Sequence, residues 1–218
     1  MRDDPRVKLI SVNVARPEEI LIEGESVATG IFKRPVAGRI AVKTLNLEGD
    51  QQADLTVHGG PDKAVYVYPS EHYEFWQRKL KRELTEWGAF GENLTVEGLL
   101  EEAVSIGDRL GIGSAVFQVT QPRLPCFKLA AKLEHEDIIK QFLDSRRTGF
   151  YLRVLREGSL QAGDTIAIIE RDPHQLTIRE AIELYLTKRP EHSSLQRALS
   201  VDALSGSWRE HFSALSGA

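Results

Sequence analysis

The stretch RLGIGSAVFQVTQPRLPCFK, residues 109–128, contains the features that decide the fold. Its first part, Arg109–Thr120, is predicted to form a β-hairpin that turns at Gly113-Ser114. A proline-rich approach then leads to Cys126, after which apolar residues recur at helical spacing as far as Leu133. The centre of the predicted fold is therefore a strand pair, followed by Cys126 at the start of a helix.

Further short β-prone segments, separated by glycine and proline, lie on both sides of this hairpin. They are predicted at Val7–Val14, Glu19–Ile22, Ser26–Phe32, Arg39–Leu45, Ala64–Tyr68, Asn93–Val96, Phe150–Leu155 and Thr165–Glu170. Closely spaced short strands predict a barrel or a sandwich. One amphipathic helix is predicted after Ser70 and a second around Ile138–Leu143, so a few helices are expected to accompany the β core.

The pattern becomes helical from residue 172 onwards. Thr177 and Glu180 fit a capping box, which marks the first residues of a helix. Two more helices are predicted at Ser194–Leu204 and Ser207–Leu215, with Gly206 as a break between them. We therefore predict a mainly β, barrel-like domain over residues 1–171 and a small three-helix domain over residues 172–218.

The composition of the 218 residues excludes several classes of protein. The net charge of −4 and the lack of a long Lys/Arg run argue against binding to nucleic acid polymers or membrane surfaces. No apolar run approaches the roughly 18 residues of a membrane span, and the N-terminus lacks a signal peptide's apolar segment, so we expect a cytoplasmic protein. A single cysteine excludes an internal disulfide, a cysteine-rich zinc site and a self-contained iron–sulfur cluster.

Cys126 is the principal candidate for chemistry. It lies close to Arg123 and Lys128 in the sequence and near the start of a predicted helix. Both the cations and the helix dipole favour the thiolate, which is typical of reactive or metal-binding cysteines. The alternative is that Cys126 is a small hydrophobic residue of the core, as many free cysteines are.

The segment His58-Gly59-Gly60-Pro61-Asp62-Lys63 is the second candidate. Paired glycines let backbone N–H groups approach an anion, and His58 and Lys63 flank them with positive charge, so the segment could bind a phosphate. The alternative is a tight turn that needs the same glycines.

Two groups of acidic or amide residues are further candidates for a functional role. Asp50 and Asp54 are predicted to share one face of a strand, and Glu92-Asn93 follows the turn at Gly91. Paired carboxylates can act in acid–base catalysis, but residues of this kind are more often caps and turn formers.

Five segments taken together resemble the MOSC family, and within it the bacterial YiiM group. They are GIFKRPV (residues 30–36), LNLEGDQQAD (45–54), HGGPDKAVY (58–66), GAFGENL (88–94) and QPRLPCFK (121–128). The helical tail also resembles the three-helix extension of YiiM-like chains. The resemblance implies a β-barrel-like fold that binds the molybdenum cofactor, with Cys126 as the protein thiolate on molybdenum, a metal that a soft sulfur ligand suits.

The resemblance also assigns roles to residues at the family's motif positions. The cations that it implies near the pterin phosphate are Lys33, His58, Lys63, Arg123 and Lys128, joined by the backbone N–H groups of Gly59 and Gly60. It further implies that pterin edges or the reacting group are contacted by Asp54, Glu92 and Asn93.

The activity implied by the resemblance is two-electron reduction of small N-hydroxylated compounds, such as hydroxylaminopurine-type base analogues, to the amine with loss of water. The sequence contains no flavin or nicotinamide fingerprint, so electrons are expected from a separate reductase that contains flavin. Two alternatives remain open. One is a sulfur-transfer protein that carries a persulfide on Cys126, and the other is a non-catalytic anion- or pterin-binding module in which Cys126 only packs.

Overall fold

The computed structural model describes residues 7–22, 24–53 and 59–217, and most of its strands belong to one large sheet. The strands are β1 (Lys8–Val14), β2 (Glu18–Ile22), β3 (Glu25–Thr29), β4 (Arg34–Pro35), β5 (Ile40–Val42), β6 (Val65–Pro69), β7 (Leu94–Glu97), β8 (Arg109–Ile112), β9 (Ala115–Pro122), β10 (Phe150–Arg156), β11 (Gly158–Leu160) and β12 (Ile166–Glu170). Eight of them pair in the order β12-β8-β9-β10-β6-β7-β1-β4, while β5 pairs with β11 and β2 with β3.

The large sheet is mixed and does not close into a complete barrel among the described residues. Its pairs are antiparallel except for β6 and β7, which run parallel. An isolated bridge between Lys8 and Thr165 and a 2.9 Å hydrogen bond from Leu9 N to Asp164 O join β1 to the segment before β12. The prediction of a mainly β core is thus confirmed as a large mixed sheet, whereas the expected barrel is present only as this partial closure.

The predicted hairpin of residues 109–120 is present as β8 and β9. Gly113 lies in its turn with φ +58, and a Cβ atom there would lie 2.2 Å from the carbonyl oxygen of Ser159. Only glycine fits so close an approach to another segment's backbone. The hairpin is extended by β10, which pairs with β9 as far as Pro122 and so fixes the point where the chain leaves the sheet towards Cys126.

Six α-helices accompany the sheet in the described residues. They are α1 (Glu71–Leu80), α2 (Phe127–Leu133), α3 (Ile138–Ser145), α4 (Ile178–Leu186), α5 (His192–Leu199) and α6 (Gly206–Ser216), and a short 3-10 helix covers Pro61–Lys63. The capping box of Thr177 and Glu180 is confirmed at the start of α4. The predicted break between the last two helices is present, but it covers residues 200–205, and Gly206 is the first residue of α6 with Ser205 as its N-cap. No helix in these ranges combines the length and apolar character needed to cross a bilayer.

The C-terminal helices share their apolar core with the sheet. Buried residues such as Leu176, Ile178 and Phe212 belong to the same cluster as Leu110 and Phe117 of the central hairpin. The backbone is also joined, because Ile178 N donates a 3.0 Å hydrogen bond to Val104 O. The three-helix unit is therefore packed on the sheet through a continuous hydrophobic interface.

A second, aromatic cluster lies under helices α1, α2 and α3. Trp76 and Phe142 stack with ring centroids 5.5 Å apart, and Phe90 and Tyr68 approach to 4.5 Å. Leu129 of α2 is fully buried in the same cluster. Because α2 begins directly after Cys126, this packing fixes the helix that carries the cysteine.

Candidate functional site

A cleft of about 100 Å³ lies between the end of β9, the segment after β3 and the chain before residue 54. It brings together six of the residues predicted to form the site, which are Lys33, Lys63, Asn93, Arg123, Cys126 and Lys128. Motif segments that are far apart in the chain therefore meet at one place. The predicted residues Asp54 and His58 lie outside the described residues.

Cys126 is positioned at the cleft by the helix that follows it. It is the N-cap residue of α2, with extended backbone (φ −130, ψ 175), and its carbonyl oxygen accepts a 2.9 Å hydrogen bond from Leu129 N. Its side chain is half-buried and belongs to neither cluster of buried apolar residues. This placement suits an accessible thiol better than a core hydrophobe.

Arg123 is a buried cation without a carboxylate partner among the described residues. Only 5% of the residue is exposed, and its Nη1 atom has no hydrogen-bond partner. The guanidinium carbon lies 5.1 Å from the ring centroid of Tyr66. Burial acts to lower the pKa of Arg123, but Tyr66, Tyr151 and Cys126 outweigh it and the net pKa is raised. A buried guanidinium with an unused N–H is a site for an anion or another acceptor.

Lys33 and Asn93 are both tied to Asp50. The Lys33 ammonium forms a buried ion pair with Asp50 Oδ1, which also accepts a 2.9 Å hydrogen bond from Ala15 N. Asp50 Oδ2 accepts from Asn93 Nδ2 at 2.9 Å, and Asn93 Oδ1 accepts from Tyr66 N at 3.0 Å. Burial lowers the pKa of Lys33 despite the opposing effect of Asp50. The charge of Lys33 is thus already balanced within the protein.

Asp50 also lines the cleft; the sequence pointed to it only as a possible acid–base pair with Asp54 or as a turn former, and the family resemblance gave it no role. Tyr66 and Tyr151 also line the cleft, with ring centroids 5.2 Å apart. Both tyrosines lie on strands, where aromatic residues usually indicate core, so the pattern gave no signal for them. Burial raises the pKa of Tyr66 and of Tyr151, which keeps both phenols protonated.

Lys63 and Lys128 line the same cleft with different surroundings. Burial lowers the pKa of Lys63, and the nearby Asp62 opposes this effect. Lys128 Nζ donates a 3.1 Å hydrogen bond to the carbonyl oxygen of Ala28. A backbone carbonyl does not neutralise an ammonium group, so the positive charge of Lys128 remains uncompensated by this contact.

Three predicted site residues in the described part of the chain do not line the cleft. Glu92 is fully buried, and its carboxylate accepts hydrogen bonds from Tyr73 Oη, Gly88 N, Phe90 N and Thr95 Oγ1. These contacts make Glu92 a support of the loop before β7. Gly59 and Gly60 precede the short 3-10 helix, and Gly60 O accepts a 3.1 Å hydrogen bond from Lys63 N.

One wall of the cleft is formed by residues 28–33, here called the wall segment. Helix α2 holds it with two lysines: Lys128 binds Ala28 O, and Lys132 Nζ donates to Ile31 O at 2.8 Å and to Gly88 O at 2.5 Å. Gly91 packs against this segment with φ +79, and a Cβ atom there would lie 2.7 Å from Ile31 Cγ1. Lys132 was not predicted, since its backbone contacts have no sequence signature.

The donor atoms available to a metal at the cleft are few. Within residues 7–22, 24–53 and 59–217, no group of three or more His, Cys, Asp or Glu side chains converges as a metal-ligand set. The thiol of Cys126 is therefore the one protein ligand of soft character that the cleft offers in these ranges.

A lone thiol, a buried arginine and a three-helix tail on a large mixed sheet define one class of protein. The chain belongs to the MOSC family: the MOSC domain matches residues 54–167, and the YiiM-like, 3-alpha helix domain matches residues 176–215. The family resemblance predicted from the sequence is therefore confirmed.

Particular relatives place the chain within that class. The protein YflK of Bacillus subtilis (strain 168) is 43% identical over 95% of this chain and 93% of YflK. The crystal structure of YiiM from Geobacillus stearothermophilus superposes with a TM-score of 0.82 at 37% identity, covering 96% of this chain and 99% of that one. A protein of Gibberella moniliformis (strain M3125 / FGSC 7600) named "Reductase" is 34% identical over 75% of this chain but only 29% of its own length.

Proposed function

We propose that this protein binds the molybdenum cofactor in the cleft and reduces small N-hydroxylated compounds to amines, with Cys126 as the metal ligand. The observation that carries the proposal is that the accessible thiol of Cys126 and the unpartnered Nη1 of Arg123 meet in one cleft. Membership of the MOSC family, which is associated with this cofactor, and the relative named as a reductase support it.

The residues of the cleft fit such a cofactor in two respects. Its phosphate needs positive charge and N–H donors, which Arg123, Lys63 and Lys128 can provide. Its molybdenum, already coordinated by sulfur, favours a further soft donor, which the thiolate of Cys126 would provide. Lys33 is less suited to the phosphate because Asp50 already neutralises it.

Each residue of the chain has a distinct task in this proposal. Cys126 would hold the metal at the start of α2, and the buried guanidinium of Arg123 would compensate anionic charge. The Lys33–Asp50 pair and Asn93 keep the floor of the cleft in place. When bound, the cofactor would supply the redox centre for a two-electron removal of oxygen from nitrogen. The electrons would come from a separate reductase that contains flavin.

The experiment that tests the proposal is elemental analysis of the protein made in a host that synthesises the cofactor and in one that does not. We expect molybdenum to bind stoichiometrically in the first case only, together with reduction of hydroxylaminopurine by a chemical electron donor. Absence of molybdenum from both preparations, even after cofactor is added, would overturn the proposal. Cyanide-labile sulfur on Cys126 in such a preparation would favour sulfur transfer instead.

A further inference from the structure

A second cavity lies on the other side of the wall segment. It has a volume of about 530 Å³ and is lined by residues 32–34 and 82–89 together with Glu18 and Lys132. Lys33 borders both this cavity and the cleft. The volume falls in the range of about 300–1,000 Å³ that is usual for small-molecule sites.

Two aromatic side chains contribute to the lining. Phe32 and Trp87 are both half-buried, so part of each ring faces the cavity or the solvent. Trp87 is held by an edge-to-face contact with Tyr73 at 4.6 Å, and Lys132 Nζ lies 5.6 Å from the ring centroid of Phe32. Fixed rings of this kind bind flat aromatic groups with little loss of side-chain entropy.

Lys132 is a half-buried cation of the cavity. Its hydrogen bonds in the described part of the chain go to two backbone carbonyls and none to a carboxylate. Burial, together with Lys33, Arg123 and Arg34, lowers the pKa of Lys132 to about 8, and Glu92 opposes the effect. Three cations therefore act on Lys132 against Glu92, and within the described residues no carboxylate accepts a hydrogen bond from its ammonium group.

The rim of the cavity has a different charge pattern. Its exposed charged residues are Arg34 and Arg82 as cations, and Glu18, Glu83 and Glu86 as anions. Three glutamates near the opening disfavour a ligand with several negative charges, because like charges repel. A single anionic group that reaches Lys132 avoids most of this repulsion.

We propose that the second cavity binds a small aromatic monoanion, with its ring against Phe32 and Trp87 and its anionic group at Lys132. The inference concerns a site other than the cofactor cleft and holds whether or not the cleft binds molybdenum. An anion beside Lys132 would favour its protonated form, so binding should weaken as the pH rises through about 8.

The test is titration of the protein with benzoate, followed by tryptophan fluorescence and calorimetry. Trp76 and Trp208 are 0% and 2% exposed, so a fluorescence change reports on Trp87. We expect benzoate to bind, while neutral benzamide, acetate without a ring and doubly charged phthalate bind at least about tenfold more weakly, a difference of about 1.4 kcal/mol. Protein with and without molybdenum should give the same affinity, which separates this test from that of the proposed function.

Substitutions of residues that line the cavity test whether benzoate binds there. Trp87→Leu and Lys132→Met should each weaken benzoate binding at least about tenfold, and Lys132→Met should also remove its pH dependence. Lys140→Met is the matched control, because Lys140 is an exposed lysine on α3 that pairs with Asp144. If Lys132→Met unfolds the chain, Arg34→Gln with Phe32→Leu serves in its place. Failure of benzoate to bind at millimolar concentration, equal binding of benzamide, or no effect of the cavity variants would overturn the proposal.

Discussion

Lys33 and Asp50 form a buried ion pair in which only 9% and 1% of the two side chains are exposed. Replacement of one partner leaves the other charge buried without compensation, a loss that usually costs about 3–5 kcal/mol. We therefore expect Asp50→Asn to lower the free energy of unfolding by about that amount, measured by urea denaturation. Asparagine has a single oxygen, so the variant also leaves either Ala15 N or Asn93 Nδ2 facing an N–H donor, and this loss adds to that of Lys33.

A double variant provides the control for this pair. Lys33→Met combined with Asp50→Asn removes both charges, and it should be more stable than Asp50→Asn alone. Equal stability of the single and double variants would show that the two charges are not coupled.

Glu92→Gln tests whether Glu92 is structural. Its carboxylate accepts hydrogen bonds from two backbone N–H groups, Gly88 N at 2.8 Å and Phe90 N at 3.0 Å. The NH2 group of glutamine would therefore face one of these N–H groups, and two donors cannot form a hydrogen bond. We expect a loss of about 2–4 kcal/mol in the free energy of unfolding. Below the melting temperature, molybdenum content should remain that of the wild type. Loss of molybdenum with unchanged stability would instead make Glu92 a cofactor ligand.

The lowered pKa of Lys132 predicts a pH dependence of stability. The folded state has a pKa of about 8 and the unfolded state about 10.5, so between these values the unfolded state binds more protons. Stability relative to Lys132→Met should therefore rise by about 3 kcal/mol from pH 8 to pH 10.5 and be nearly constant below this range. The same comparison with Lys140→Met should show no such rise, and a rise of equal size there would contradict the assignment.

Cys126→Ser separates the functional role of the thiol from a structural one. Because the side chain is half-buried and outside the apolar clusters, we expect a stability change below about 1 kcal/mol. Molybdenum binding and reduction of N-hydroxylated substrates should both be lost. Iodoacetamide should label wild-type Cys126 in the free protein, and bound cofactor should protect it. Full activity of the variant would remove Cys126 from the mechanism.

Removal of residues 173–218 should destabilise the sheet. The deletion removes buried residues of the shared cluster, including Ile178, Ala181 and Phe212, together with the hydrogen bond from Ile178 N to Val104 O. We expect the truncated chain to lose cooperative thermal unfolding, measured by circular dichroism and calorimetry. A sharp transition in the truncated chain would show that residues 1–172 fold on their own.

The local parts of the structure were predictable because they depend on neighbours in the sequence. The capping box at Thr177 and the turn at Gly113 follow from short-range hydrogen bonding and backbone angles. Gly206 was misinterpreted because a glycine can also be the first residue of a helix, as it is in α6. The sheet's incomplete closure depends on pairing between β1 and the segment before β12, about 155 residues apart, and short-range patterns do not report it.

The site was predictable for the same reason only in part. Cys126, Arg123 and Lys128 come from one segment and reach the cleft together. Asp50 and Glu92 show the limit, since both are acidic residues near glycine turns, and the family resemblance implied contact with the cofactor or the reacting group for Glu92 only. The structure gives the cleft position to Asp50, because Lys33 and Asn93 reach it from other elements. The spacing of residues along the chain does not predict such contacts between distant segments.

The hydrogen bonds from helix α2 to the wall segment affect the width of the cleft. The distance between the helix that carries Cys126 and the opposite wall is spanned by lysine side chains that end on the carbonyls of Ala28 and Ile31. Both contacts are made by ammonium groups on backbone oxygens, and Ile31 of the same segment also packs against the aromatic cluster. The width of the cleft is therefore set by the length of two lysine side chains together with the seat of Ile31 on that cluster.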